Sequence, residues 1–247
     1  MNNTFSFKRF NQVLAYDWKR FIRNFGITLL VWISIPVMFW VTSLVFDFEL
    51  DPIARLFIIY GLIAITVMSA PSRIYGKVNL PREGVSFAML PATNAEKFVS
   101  MFLYCSLLTP FFTLVGAFIV DCLMKLLPFG GFEEFIPLKV IVTDAGFGNL
   151  MLAMLALVTT AWAESSVFMF GNMLFKRRKG GKTFGWALLI MFTLVMIFEL
   201  TGGWGLFDYI FFGDNSTANI LIYSGIMLLI ACGFYFGTYR KIKTQKY

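Results

Sequence analysis

Apolar residues dominate the chain in blocks, and the spacing of the polar ones separates two kinds of segment. Over residues 1–25, Phe7, Phe10, Leu14, Trp18, Phe21 and Phe25 recur at steps of three and four, with Lys8, Arg9, Lys19, Arg20 and Arg23 mainly between them. That spacing predicts an amphipathic helix, of the kind that lies on a membrane surface and is anchored by charge to anionic lipid. Beyond residue 25 the pattern changes to six long hydrophobic stretches, approximately 26–46, 54–72, 98–120, 148–175, 184–200 and 219–238. Each is near the roughly 20 residues that a helix needs to cross the hydrocarbon core. The fourth exceeds that need: about 28 helical residues rise about 42 Å, so it is expected to tilt or to project into the cytoplasm.

Composition excludes a water-soluble fold. The 247 residues are 58% hydrophobic and 18% aromatic, and only 14% are charged. A soluble domain of this size carries about a quarter charged residues and hides its apolar side chains in one core. The predicted fold is therefore all-α: a polytopic integral membrane protein embedded in a lipid bilayer. It comprises an interface helix at 1–25, a six-helix transmembrane domain at 26–238 and a basic tail at 239–247.

Charge orients it. Lysine and arginine number 21 against 14 acids, a net charge of +7. Eighteen of those cations lie in the N-terminal segment, the 73–97 loop, the 176–182 loop and the tail, whereas Arg55, Lys125 and Lys139 lie on the opposite side. The asymmetry places both termini in the cytoplasm, and it explains the basic excess without nucleic-acid binding. The opposite side is acidic, with Asp47, Glu49, Asp51, Glu133, Glu134, Asp144, Asp208 and Asp214 in or beside its loops. Short apolar runs in its two long loops, 122–147 and 201–218, are too short to span and predict interfacial or re-entrant helices.

Catalytic chemistry finds little support. There is no histidine, which removes His-based acid–base catalysis and the commonest metal ligand. Cys105, Cys122 and Cys232 have no CxxC or CxxH spacing and read as packing residues, neither a zinc site nor a disulfide framework. Five basic residues precede the first apolar run, which is too long for a signal core, so that helix is expected to be retained. Gly180-Gly-Lys-Thr183 has the tail of a phosphate-binding loop, but Lys176 stands where the motif needs its first glycine. Ser86 has Gly84 before it but Ala88 after it, and so makes no nucleophile elbow. Glu133-Glu134 and Tyr16-Asp17 resemble parts of membrane-protease motifs whose remaining members are missing. The chain is expected not to be an enzyme and to bind no cofactor or metal.

Three other features carry information. In the 73–97 loop, Pro81 and Pro91 bracket a short apolar turn, and Thr93 with Glu96 forms an N-terminal capping box for the third span. Val85, Phe87, Met89 and Leu90 in that loop are apolar enough to need a partner surface. Glu164 reads as the one acid deep in a membrane segment, with Thr159, Thr160, Ser165 and Ser166 around it. Such a group must face protein or water, or be protonated. Glu164 and Thr160 are accordingly candidates for a translocation path, with a buried interhelical polar contact as the equal alternative. Gly233 and Gly237 permit close helix packing in the sixth span.

Taken together, these features resemble the permease subunits of type-2 ABC transporters in their short six-helix bacterial form. The resemblance covers the whole chain in layout and is sharpest over Arg82-Glu83-Gly84 and Met89-Leu90-Pro91-Ala-Thr-Asn-Ala-Glu96-Lys-Phe98. It implies that the 73–97 loop is a coupling helix docking on a separate ABC ATPase subunit, with Arg82, Glu83, Gly84, Leu90, Pro91 and Glu96 at that surface. It further implies a homodimer or heterodimer of permeases in a bacterial inner membrane, working as an exporter as most of that family do, with ATP and Mg held by the partner ATPase. A non-transporting scaffold or assembly factor, and then a secondary transporter, are the competing expectations. The substrate is not specified by any motif.

Overall fold

Residues 5–46, 52–80, 84–126, 146–176, 178–201 and 216–244 are described by the computed structural model, and they are helical almost throughout, with no strand among them. The first helix, α1 (Phe7–Phe21), ends in Lys19 and Arg20, cations that suit the negative end of the helix dipole. It does not stop at the predicted boundary near residue 25. The winding widens into a π-helical turn at Ile22–Gly26 and continues as α2 (Ile27–Ile33) and α3 (Ile35–Phe46). Interface helix and first span are thus one helical run of 40 residues. The run is interrupted at Ser34 because Pro36 has no N–H to continue the ladder. The Ser34 hydroxyl donates instead to the Val31 carbonyl at 2.7 Å.

Proline also marks the next elements. Pro52 opens α4 (Pro52–Ile74) at the position where a missing N–H costs nothing. A five-residue helix, α5 (Gly84–Ala88), precedes α6 (Asn94–Phe102), and α6 begins with the predicted capping box. Pro110 then interrupts the ladder, and α6 passes through a π-helical turn at Leu103–Leu108 into α7 (Thr109–Leu126). There the Thr109 hydroxyl donates to the Tyr104 carbonyl at 2.7 Å. Three long helices complete the fold: α8 (Gly146–Leu174), α9 (Lys179–Thr201) and α10 (Ser216–Thr244). The described part of the basic tail is the end of α10, so the tail is not a separate element through Thr244. The predicted outer-loop helices fall mostly outside the described residues.

Among the described residues, five helical stretches are long and apolar enough to cross a membrane: Phe7–Phe46, Ala54–Ile74, Asn94–Leu126, Met154–Leu174 and Thr217–Thr244. The chain is a multi-pass membrane protein. Many large apolar side chains, among them Leu30, Phe57, Phe111, Phe192 and Leu229, are exposed, as expected of a surface that meets lipid. Interior packing divides in two. The larger cluster joins Phe21, Phe25 and Leu29 to Ile74, Tyr75, Phe87, Met101, Tyr104, Met169, Met173 and Ile242 at the end bearing α1, called here the basic end. A smaller cluster of Ile59, Ile63, Val67, Ala117 and Ala161 lies farther along the bundle. The most extensive helix contact is α8 on α10. Gly237 serves it, since a Cβ there would meet the Phe170 ring at 2.9 Å. Gly233 does not: it is exposed, and nothing lies within 4 Å of its Cβ position.

Candidate functional site

Polar groups concentrate at three depths of the bundle. At the basic end, α1 is fastened to the start of α6 by a carboxylate that sequence reasoning assigned elsewhere. One Glu96 oxygen accepts from the Ser6 N–H at 2.8 Å and from Arg9 at 3.1 Å. The other accepts from the Thr93 N–H at 2.8 Å, while the Glu96 N–H donates to the Thr93 hydroxyl at 3.2 Å. Glu96 is fully buried. It is therefore an internal fastener and does not present itself to a partner, because the capping box that orders α6 also turns its carboxylate towards α1.

A second fastener lies one turn deeper. Asp17 is fully buried, and its Oδ2 accepts from the Tyr75 hydroxyl at 2.9 Å and from the Ser100 hydroxyl at 2.5 Å. Its Oδ1 has no hydrogen-bond partner. The Arg20 guanidinium stands 5.5 Å from the centre of the Tyr75 ring, and the Tyr104 hydroxyl donates to the Leu14 carbonyl at 2.8 Å. One face of α1, carrying Val13, Asp17, Arg20 and Phe21, is thus buried in protein. Phe7 and Trp18, on the predicted apolar stripe, stay exposed.

The short helix α5 is built into this end. Phe87 is buried and meets the Tyr75 ring edge-on at 6.4 Å. The Lys97 ammonium donates to the Ala88 carbonyl at 3.0 Å and lies 5.3 Å from the Phe87 ring centre. Gly84 is buried, its N–H bonded to the Leu80 carbonyl at 2.8 Å. Leu90 is half-buried against the main core, whereas Pro91 is exposed and Met89 is 78% exposed. The outward tip of the loop is therefore Met89–Pro91. Arg82 and Glu83 lie outside the described residues.

Mid-bundle, hydroxyls replace charges. The Ser106 hydroxyl lies 2.7 Å from that of Ser165 and accepts from the Tyr235 hydroxyl at 2.7 Å, joining the π-helical turn to α8 and α10. Thr113 donates to Thr66 at 3.0 Å, linking α7 to α4. Thr160, a predicted path residue, lies 2.9 Å from the Tyr223 hydroxyl of α10. Glu164 is half-buried one turn away, close enough to influence Tyr60 of α4 electrostatically. A separate hollow of about 190 Å³ is lined by Ile63, Leu114, Leu157, Val158 and Trp162, with Ser106 at its edge.

At the third depth, away from the basic end, Arg55 grips Asp121. The Arg55 Nε donates at 2.9 Å and Nη2 at 2.6 Å to each carboxylate oxygen, and both residues are buried. This corrects two expectations: Arg55 is not a loop charge, and Glu164 is not the one acid deep in a helix. The sequence did hold a signal, since single charges of opposite sign interrupt the second and third apolar runs at ends that an antiparallel pair brings together. Asp17 was likewise legible as the lone acid of a basic helix. Among the described residues, no group of three or more His, Cys, Asp or Glu is placed to hold a metal. Comparison with family models, with characterised proteins and with solved structures finds no match to this chain.

Proposed function

We propose that the chain is the membrane-spanning permease subunit of an ATP-driven transporter of the type-2 ABC kind, an exporter that works with a separate ATPase chain. In this reading α9 is a span as well, the fifth of six, the basic end faces the cytoplasm, and two permeases enclose the path. The observation that carries the proposal is the construction of the 84–97 segment. A connector with no docking role has no need of a buried Phe87, a capped α6 and a lysine bonded back to the Ala88 carbonyl. Those contacts make it a stiff element that transmits force from its exposed tip into α4, α6 and α1. Nucleotide can drive a conformational change only by interacting differently with its two states, so ATP-linked closure of the partner must push on a surface of this stiffness.

The test is purification of the tagged chain from its native membrane in mild detergent. We expect a stoichiometric ATPase to accompany it, with vanadate-sensitive ATP hydrolysis. Met89→Asp alters the exposed tip without entering the core, and it should abolish that association while membrane insertion is unchanged. Recovery of the chain alone in repeated preparations, or full association of the Met89→Asp variant, would remove the ATPase-coupled reading.

A further inference from the structure

Acids whose side chains are described have hydrogen-bonding partners, with one exception. Asp121 holds Arg55, Glu96 holds Arg9, and Asp17 holds the hydroxyls of Tyr75 and Ser100. Glu164, half-buried in the middle of α8, forms no ion pair or hydrogen bond among the described residues. Its neighbours are hydroxyls on aromatic rings. Tyr223 of α10 meets Thr160, one turn from Glu164, at 2.9 Å between hydroxyls, and Tyr60 of α4 lies near the same two residues. Tyr60 is exposed and Tyr223 half-buried, so part of each ring remains open.

The space beside this cluster is not filled by α9. Glu164 and Gly171 are seven residues apart and share one stripe of α8. At Gly171 the start of α9 closes that stripe, with Thr183 seated where a side chain would otherwise stand. Two turns further along, α9 has left the bundle. Leu188, Leu189, Ile190 and Met191 are consecutive, so they point all around the helix, and every one is at least half exposed. Lipid tails cannot satisfy a carboxylate. An occupant that neutralises Glu164 needs a positive centre, and one that also covers the tyrosine rings and the apolar flank of α9 needs an apolar body. Aromatic faces add their own attraction for a cation.

We propose that the cluster of Glu164, Thr160, Tyr60 and Tyr223 binds the transported substrate, and that this substrate is an amphipathic organic cation. The inference rests on the permease reading above. Its positive centre sits at Glu164, and its apolar part lies against Tyr60, Tyr223 and the uncovered side of α9.

The probe is radiolabelled tetraphenylphosphonium, measured by equilibrium dialysis against the purified full-length chain in detergent, without any ATPase. Failure here leaves ATPase co-purification standing, and failure of co-purification leaves the binding result standing. Saturable binding is expected, weakened about tenfold or more in Glu164→Gln, a loss of at least about 1.4 kcal/mol, and less in Glu164→Asp. Tetraphenylborate, of the same shape and opposite charge, should not compete. Absence of saturable binding, as when a second copy of the chain covers the cluster, overturns the proposal. Equal binding by Glu164→Gln, or equal competition by the borate, does so too. Should Glu164→Gln fail to stay monodisperse, discrimination between cation and anion by the unaltered chain decides.

Discussion

The seam between α4 and the α6–α7 run is fastened at three depths, whereas among its described side chains α9 is fastened only in its first turns. Along the seam lie the Arg55–Asp121 pair, the Thr66–Thr113 hydrogen bond, and Asp17 bridging Tyr75, the residue after α4, to Ser100 of α6. The buried positions recorded for α9 are Lys179 and Thr183, both in its first turns, beside Ser72 and Gly171. Helices in lipid gain nothing from apolar burial against each other, because lipid tails are as apolar as leucine. Adhesion falls to polar contacts and to small residues that let backbones approach. By that measure α4, α6, α7 and α1 form one stiff body that includes the α5 tip, and α9 is the helix free to change position. A permease needs both: a rigid part to receive force and a loosely held part to open a path.

The comparison is broken most severely at its strongest contact. Asp121→Ala leaves Arg55 buried without its counter-charge, and removal of one partner from a buried pair costs about 3–5 kcal/mol. Replacing both partners by apolar residues, Arg55→Met with Asp121→Leu, should return most of that loss. Thermal unfolding of the purified variants in detergent measures both. A single variant as stable as the unaltered chain would show that the pair does not hold the seam.

Asp17→Ala is the next in size. It deprives the Tyr75 and Ser100 hydroxyls of their acceptor, and hydrogen bonds to a charged group contribute about 1.5–3 kcal/mol. Asp17 has one unpartnered oxygen of its own, so relief of that burial offsets part of the loss, and a net cost of about 1–2 kcal/mol is expected. The local signature is release of α1. Proteolysis within residues 7–21 should accelerate in this variant while the rest of the bundle resists. Unchanged protection of α1 would mean that Arg9–Glu96 and Tyr104–Leu14 suffice to hold it.

Much of the fold was legible because lipid imposes a simple rule on sequence. Among the described residues, helices of the required length and apolarity appear at five of the six hydrophobic runs, and the Thr93–Glu96 capping box is present as read. The pairings were harder, since they depend on which helix ends meet. Arg55, near the start of the second predicted span, reads as an outer-side charge, and Asp121, one residue beyond the third, attracts no reading of its own; their pairing follows only once the two helices stand side by side. The same limit affected Glu96. Its motif was correctly read as local capping, but its second oxygen is committed to Ser6 and Arg9, about ninety residues earlier in the chain. The π-helical turns were invisible for a different reason: widening of a helix leaves no break in an apolar run. Thr160 and Glu164 were recognised as polar in a membrane segment, yet their tyrosine neighbours come from helices distant in sequence.

The smallest expected effect is the sharpest check on α9. Leu189 is 55% exposed in the middle of the helix. Truncating a buried leucine to alanine costs about 2–5 kcal/mol, whereas a side chain that touches only lipid or detergent loses no packing. Leu189→Ala should therefore change stability by no more than about 0.5 kcal/mol. Thermal unfolding in detergent, followed for the chain alone, gives the comparison with Asp121→Ala directly. A loss of about 2 kcal/mol or more would mean that Leu189 is packed against protein in the purified particle. Because no neighbour within the described chain covers it, the covering surface would then belong to another subunit, and α9 would be an interface helix held from outside. A negligible loss keeps α9 as the loosely held wall beside Glu164, where its movement changes access to the carboxylate without disturbing the fastened seam.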